Sequence, residues 1–163
     1  MGENFDRFLK EKRKEIENKE ITTVIFTGPV NAVTNHTSLK SIQGRMTKMY
    51  AKAKAAGLKA IACTAPGFDY AKISAHYRKD WAANHKDWNG GVYPYSGEDL
   101  HQRTQQLNAW IMSQAGSTID RVIDLYTEMQ NGEKYEQIDG IHYSDKGSRA
   151  MEEYITKEAG ITV

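Results

Sequence analysis

The sequence of 163 residues lacks several features that mark common classes of protein. Its one cysteine, Cys63, allows neither an intrachain disulfide nor a cysteine-based zinc site. Cys63 falls in a predicted buried strand, where a small core residue is the simpler interpretation. There is no long apolar run, so no transmembrane helix is expected, and no signal peptide is visible. The sequence therefore gives no indication of where the protein is located.

An excess of charge of either sign is also missing. The chain has 22 basic and 21 acidic residues and a formal net charge of +1. This balance gives no reason to expect a nucleic-acid or membrane-surface partner. No internal repeat, low-complexity tract or proline-rich linker divides the chain. We therefore expect residues 1–163 to form one domain, long enough to bury a substantial core.

Helical and strand-like patterns alternate along the chain. Apolar spacing predicts helices over residues 3–18, 38–57, 96–115 and 144–158. Short β-branched segments predict buried strands over residues 21–27, 59–64 and 121–125. Loops are expected at 30–36 and at 65–95. This α-β-α-β-α-β-α order predicts a three-layer α/β sandwich with a parallel sheet, in which functional residues gather at the carboxyl ends of the strands.

The strongest chemical signal is Asp139, three residues before His142 and just ahead of the last predicted helix, which Ser144 would cap. A carboxylate at this spacing can accept a hydrogen bond from one imidazole nitrogen and leave the other free for proton transfer. A purely structural turn is the alternative interpretation.

In this position the pattern resembles the last sequence block of the SGNH (GDSL-type) ester hydrolases, an Asp-x-x-His near the C-terminus. The stretch from Gly28 to Ala32, directly after the first strand, resembles the family's third block. That resemblance implies that Asn31 is the oxyanion asparagine, although Ala32 replaces the aspartate that often follows it. Gly2, ahead of the first helix, resembles the glycine of the second block, whose backbone N–H is a second oxyanion donor.

The first family block, Gly-Asp-Ser with the nucleophilic serine, does not occur in this sequence. The resemblance therefore implies a flavodoxin-like sheet, of strand order 2-1-3-4-5, that lacks its first strands, so that the chain holds about the C-terminal two-thirds of the fold. Strand 21–27 would then be an apolar edge, covered by a missing N-terminal segment, a second polypeptide or a homo-oligomer partner. Ser38, Ser96 and Ser144 are interpreted as helix caps, not nucleophiles.

The resemblance implies an ester hydrolase that works by Ser-His-Asp acyl transfer, with the serine supplied from outside this sequence and no metal or organic cofactor. The alternative is a non-catalytic binding or structural module on the same fold. Aromatic side chains of the long loop offer a stacking surface for an O-acylated saccharide, although ordinary packing explains them equally well: Trp81, Trp88, Tyr93 and Tyr95. A metal site is disfavoured because the histidine spacings match no metal signature: His36, His76, His85, His101 and His142.

Overall fold

The computed structural model describes residues 2–35, 37–70, 72, 96–130 and 133–161. In chain order its elements are α1 (Gly2–Glu11), α2 (Arg13–Glu17), β1 (Thr23–Phe26), α3 (Val30–Thr34), α4 (Leu39–Ala55), β2 (Lys59–Cys63), α5 (Gly97–Ser113), β3 (Arg121–Ile123), α6 (Leu125–Met129), a 3-10 turn (Glu133–Tyr135) and α7 (Asp145–Ala159). Within these ranges, no helix is both long and apolar enough to cross a bilayer.

The three strands form a parallel sheet of order β1-β2-β3. Ile25 lies beside Ile61, and Ala62 lies beside Val122. The predicted α/β class with a parallel sheet is therefore confirmed. In the described part of the chain β1 pairs only with β2, and of its four residues only Phe26 is buried. The strand predicted over 21–27 is therefore shorter in the structure, Thr23–Phe26, and only partly buried, because β1 lies at the edge of the sheet.

The chain divides into two compact units, and the first holds the whole sheet. This first unit comprises residues Met1–Ala65 and Leu107–Asp124. The predicted inner face of α4 is confirmed, since Ile42, Met46 and Tyr50 are all buried. The Tyr50 ring meets the ring of Phe26 edge-on, with centroids 5.2 Å apart. Cys63 is completely buried in β2, as its interpretation as a core residue requires.

The second unit comprises residues Pro66–Gln106 and Leu125–Val163. Both of its long helical segments begin as predicted. Ser96 and Asp99 form a capping box, in which each side chain accepts the other residue's backbone N–H. The Ser144 hydroxyl accepts the N–H of Gly147 at 3.2 Å and caps α7. These caps fix where α5 and α7 begin.

The sequence patterns did not predict three short features of the structure: a break in the first helix, and the helices α3 and α6. The predicted helix over 3–18 breaks at Lys12 into α1 and α2. The predicted loop 30–36 contains the helix α3, in which the Thr34 hydroxyl lies 3.3 Å from the carbonyl oxygen of Val30. The predicted strand 121–125 ends at Ile123, and α6 follows. Helices of five residues complete little more than one turn, so apolar periodicity has too few positions to reveal them.

Candidate functional site

Asp139 and His142 are hydrogen-bonded, as the sequence predicted. Nδ1 of His142 lies 2.7 Å from Oδ2 of Asp139. The other carboxylate oxygen, Oδ1, accepts the backbone N–H groups of Ile141 at 3.0 Å and His142 at 2.8 Å. One oxygen therefore holds the loop backbone while the other orients the imidazole. This division fixes the ring relative to the chain that carries it.

A short antiparallel closure shapes the loop around this pair. Gln137 and Tyr143 form an isolated β-bridge, and the N–H of Ile138 donates to the carbonyl of His142 at 2.8 Å. The loop turns at Gly140, whose φ of 92° lies in the left-handed region that residues with a Cβ rarely adopt. A glycine directly after Asp139 thus allows the carboxylate to fold back onto the residues that follow it.

The electrostatics of the pair favour an ionised acid. Partial burial by itself would raise the pKa of Asp139, but the hydrogen bonds from the His142 ring and from two backbone N–H groups outweigh it and hold that pKa well below its usual range. An ionised carboxylate can only accept hydrogen bonds, so Nδ1 of His142 carries a proton. In the neutral ring Nε2 is then an acceptor, and with 72% of the side chain exposed it is open to an approaching hydroxyl.

We expect Asp139→Asn to lower the free energy of unfolding by about 1–3 kcal/mol at pH 7, because hydrogen bonds to a charged acceptor are lost or weakened. A folded-state pKa below the unfolded value stabilises the fold above about pH 4 and ceases to do so as the pH falls through the folded-state pKa. The gap between native and variant should therefore shrink from pH 7 to pH 2 in urea unfolding. Asp145→Asn, at an exposed carboxylate nearby, is the control; a gap that grows on acidification would contradict the assignment.

Sequence reasoning missed the role of Gln137. Its amide donates to the Gly67 carbonyl at 2.8 Å and accepts the N–H of Asp69 at 2.8 Å. Gln137 therefore ties the loop at 136–144, here called the His142 loop, to the segment after β2. The Tyr143 phenol donates to the same Gly67 carbonyl at 3.0 Å. Burial raises the pKa of Tyr143 to about 12, so the phenol keeps its proton near neutral pH. Gln137, Asp139 and Tyr143 occupy alternate positions of the sequence, and this spacing was the available sign of an extended, paired segment.

Asn31 lies in the first turn of α3, with an exposed side chain, in the first unit. The chain reaches it through Gly28, which sits so close to Ala65 that a Cβ at position 28 would overlap the Ala65 backbone. Ala65 is held in turn by the buried Asn108, whose side chain accepts its N–H at 2.7 Å and donates to its carbonyl at 2.9 Å. The role of Asn108 was also missed. The sequence pattern of a helix does not show which of its polar side chains will bond to a distant segment of backbone.

Of the remaining sequence-predicted residues, Gly2 and His101 lie in the described part of the chain and the others lie outside it. Gly2 is the first residue of α1 in the first unit, and its oxyanion role stays a prediction. The His101 ring meets the ring of Tyr70 edge-on at 5.0 Å. No cluster of three or more potential metal ligands occurs in the part of the chain that the structure describes. The other aromatic and histidine candidates lie outside the described residues: His36, His76, Trp81, His85, Trp88, Tyr93 and Tyr95.

No protein-family profile and no curated protein matches this sequence, but solved structures do. A GDSL-like lipase from Bacteroides thetaiotaomicron VPI-5482 is 22% identical, with a TM-score of 0.62 over 96% of this chain and 70% of its own. A candidate SGNH hydrolase from Slackia heliotrinireducens is 17% identical, with a TM-score of 0.65 over 96% and 79%. The lipase/acylhydrolase from Enterococcus faecalis is 18% identical, with a TM-score of 0.53 over 94% and 69%. The chain therefore has the α/β fold of the SGNH (GDSL-type) hydrolases.

Proposed function

We propose that this chain is the acid–base part of an ester hydrolase that works by acyl transfer. The observation that carries the proposal is the Asp139–His142 pair, in which an ionised acid holds the protonated Nδ1 and leaves Nε2 exposed. This arrangement suits a general base that receives a proton from a hydroxyl nucleophile. The fold shared with lipases and acylhydrolases supports the same class of reaction.

Each step of the proposed reaction conserves its protons. Nε2 of His142 takes the proton of a serine hydroxyl as the serine oxygen attacks the ester carbonyl. The tetrahedral intermediate carries a negative oxygen, to which the Asn31 amide donates, together with the Gly2 N–H. The intermediate expels the alcohol, which receives the proton from His142, while Asp139 stabilises the imidazolium. Water then releases the acid from the acyl-serine by the same proton transfers in reverse order.

The nucleophilic serine in this proposal comes from outside the sequence, since no Gly-Asp-Ser occurs in it. The open side of β1 is where we place the segment that brings it. An open groove of about 430 Å³ includes Ile25 and Phe26 of β1 and Val30 and Asn31 of α3. Residues 21–27 carry no charge and no proline, so nothing in them opposes pairing with a further strand. A missing N-terminal segment, a second polypeptide or a second copy of this chain would satisfy that edge.

The substrate class that we propose is an O-acylated saccharide. The sequence motivation is the aromatic content of the loop at 65–95, which includes Trp81, Trp88, Tyr93 and Tyr95. Aromatic rings next to amide and carboxylate groups suit a ligand that has apolar ring faces and many hydroxyl groups. No cofactor is required, because the serine, the histidine and the amide donors supply all the groups that acyl transfer uses.

The isolated chain should hydrolyse short-chain nitrophenyl esters close to the uncatalysed rate and should not react with a fluorophosphonate probe, because it has the base but no activated serine. Adding a Gly-Asp-Ser-bearing strand, fused in front or supplied as a second chain, should restore both turnover and labelling of that serine. Labelling of a serine within residues 1–163 would show that the nucleophile is internal. Failure of every such complement that binds would favour the non-catalytic module.

A further inference from the structure

The second unit contains an open cavity of about 270 Å³ beside the loop that carries His142. Its wall includes residues of the segment after β2, Gln130, and two residues of the His142 loop: Gly67, Phe68, Asp69, Lys72, Gln130, Gln137 and Tyr143. The volume lies just below the range of about 300–1,000 Å³ that holds drug-sized ligands, so it suits one small ring.

Most of the polar groups in this wall are already used. Gln137 and Tyr143 share the Gly67 carbonyl and contact each other at 2.9 Å. Gln130 differs, because its exposed side-chain amide makes no hydrogen bond to any residue that the structure describes. That amide lies so close to Gly67 that a Cβ at position 67 would overlap it. Among the described residues of the wall, the Gln130 amide is therefore available to a ligand as both donor and acceptor, and Gly67, which has no side chain, leaves room for it.

The charges of the cavity decide the class of ligand. The Lys72 ammonium lies 3.4 Å from the Asp69 carboxylate, so the two charged groups of the wall compensate each other. An ionic ligand would gain little here and would lose its hydration. A neutral molecule with several hydroxyl groups can instead use the Gln130 amide and the paired charges as donors and acceptors. Phe68 and Tyr143 also line the cavity and offer apolar contact to a saturated ring.

The cavity is also tied to the proposed chemistry. Gln137 and Tyr143 form the bridge that closes the His142 loop, and Tyr143 directly follows His142 in the chain. A ligand in contact with both residues is therefore held against the element that positions the general base. We propose that this cavity binds the neutral sugar ring of an ester substrate, which is the alcohol that leaves with the proton from His142. This assignment rests on the proposed function.

Ligand-observed NMR on the whole chain tests the site without requiring turnover. The probes are the methyl glycosides of glucose, galactose, mannose and xylose, with methyl glucuronate as a charged comparison. At least one neutral glycoside should bind with a millimolar dissociation constant, and the backbone amide signals of Gly67 and Gln137 should shift. Gln130→Leu should weaken binding at least about fivefold, because a single neutral hydrogen bond is worth about 1 kcal/mol. Gln105→Leu, at another exposed glutamine of the same unit, is the matched control and should change nothing.

Three results would overturn the assignment: no neutral glycoside binding up to saturation of its solubility, tighter binding of the glucuronate, or binding that Gln130→Leu leaves unchanged. The native chain and the Gln130→Leu variant should have the same unfolding midpoint, since the side-chain amide makes no hydrogen bond to any described residue. Failure here is distinct from failure of the proposed function. Glycoside binding without ester turnover after the serine is restored would support the sugar site and overturn the proposed hydrolase function. Turnover of simple esters without glycoside binding would support the hydrolase function and overturn the sugar site.

Discussion

His142→Ala, assayed together with the proposed serine-bearing segment, should lower kcat/KM by about 10⁴–10⁶-fold. The reason is the geometry of the pair, in which Nε2 of His142 is the exposed acceptor and Asp139 holds the ring by its other nitrogen. Without the imidazole, a serine hydroxyl must lose its proton to water, and the leaving alcohol has no nearby acid. Asn31→Ala should cost less, about 10²–10³-fold and mostly in kcat, as expected for one oxyanion donor.

The measurement is steady-state hydrolysis of a short-chain nitrophenyl ester, with labelling by a fluorophosphonate as a second readout. His101→Gln, which alters a histidine outside the proposed mechanism, should retain the native rate. Both losses should vanish together in a preparation without the serine-bearing segment, since neither residue has a nucleophile to assist. A His142→Ala variant that keeps even a tenth of the native rate would remove His142 from the mechanism.

Gly28→Ala should lower the free energy of unfolding by about 3 kcal/mol or more. A Cβ at position 28 would overlap the Cα of Ala65, which is a backbone atom and cannot rotate aside. Ala65 is completely buried, and the Asn108 amide holds both its N–H and its carbonyl. Relief of the overlap would therefore require the ends of β1 and β2 to separate, or Asn108 to give up its contacts in the core.

Gly44→Ala is the matched control, because Gly44 lies within α4 and a Cβ there would meet nothing within 4 Å. Alanine favours a helix over glycine by about 0.5–1 kcal/mol, so this variant should be slightly more stable than the native chain. Thermal or urea unfolding measures both. Equal effects of the two variants would show that the contact between Gly28 and Ala65 is not tight in solution.

The sequence predicted the features that depend on local chemistry. The spacing of Asp139 and His142 predicted their hydrogen bond, and the Ser144 cap predicted where α7 begins. The alternation of helices and strands predicted the parallel sheet. In each case the interacting groups lie within a few residues of one another, or the pattern repeats often enough to be read. Local rules are sufficient for such features.

Contacts between distant segments could not be predicted in the same way. Asn108 bonds Ala65 across 43 positions, and Gln137 bonds Gly67 across 70. Both look like ordinary polar residues in the sequence, since only the folded chain shows which backbone groups need a partner. The roles of Asn31 and Gly2 rest on resemblance, because each lies at a helix start that many unrelated chains also have.

The hydrogen bonds that fold the His142 loop onto itself all join residues from positions 136 to 144. Their contact order is very low, and loops of about ten residues close within about 10–100 ns. The loop can therefore reach its shape long before a slower strand-pairing event is complete. In a split enzyme this would make association with the serine-bearing strand the slow step, so the lag before turnover should shorten as that strand's concentration rises.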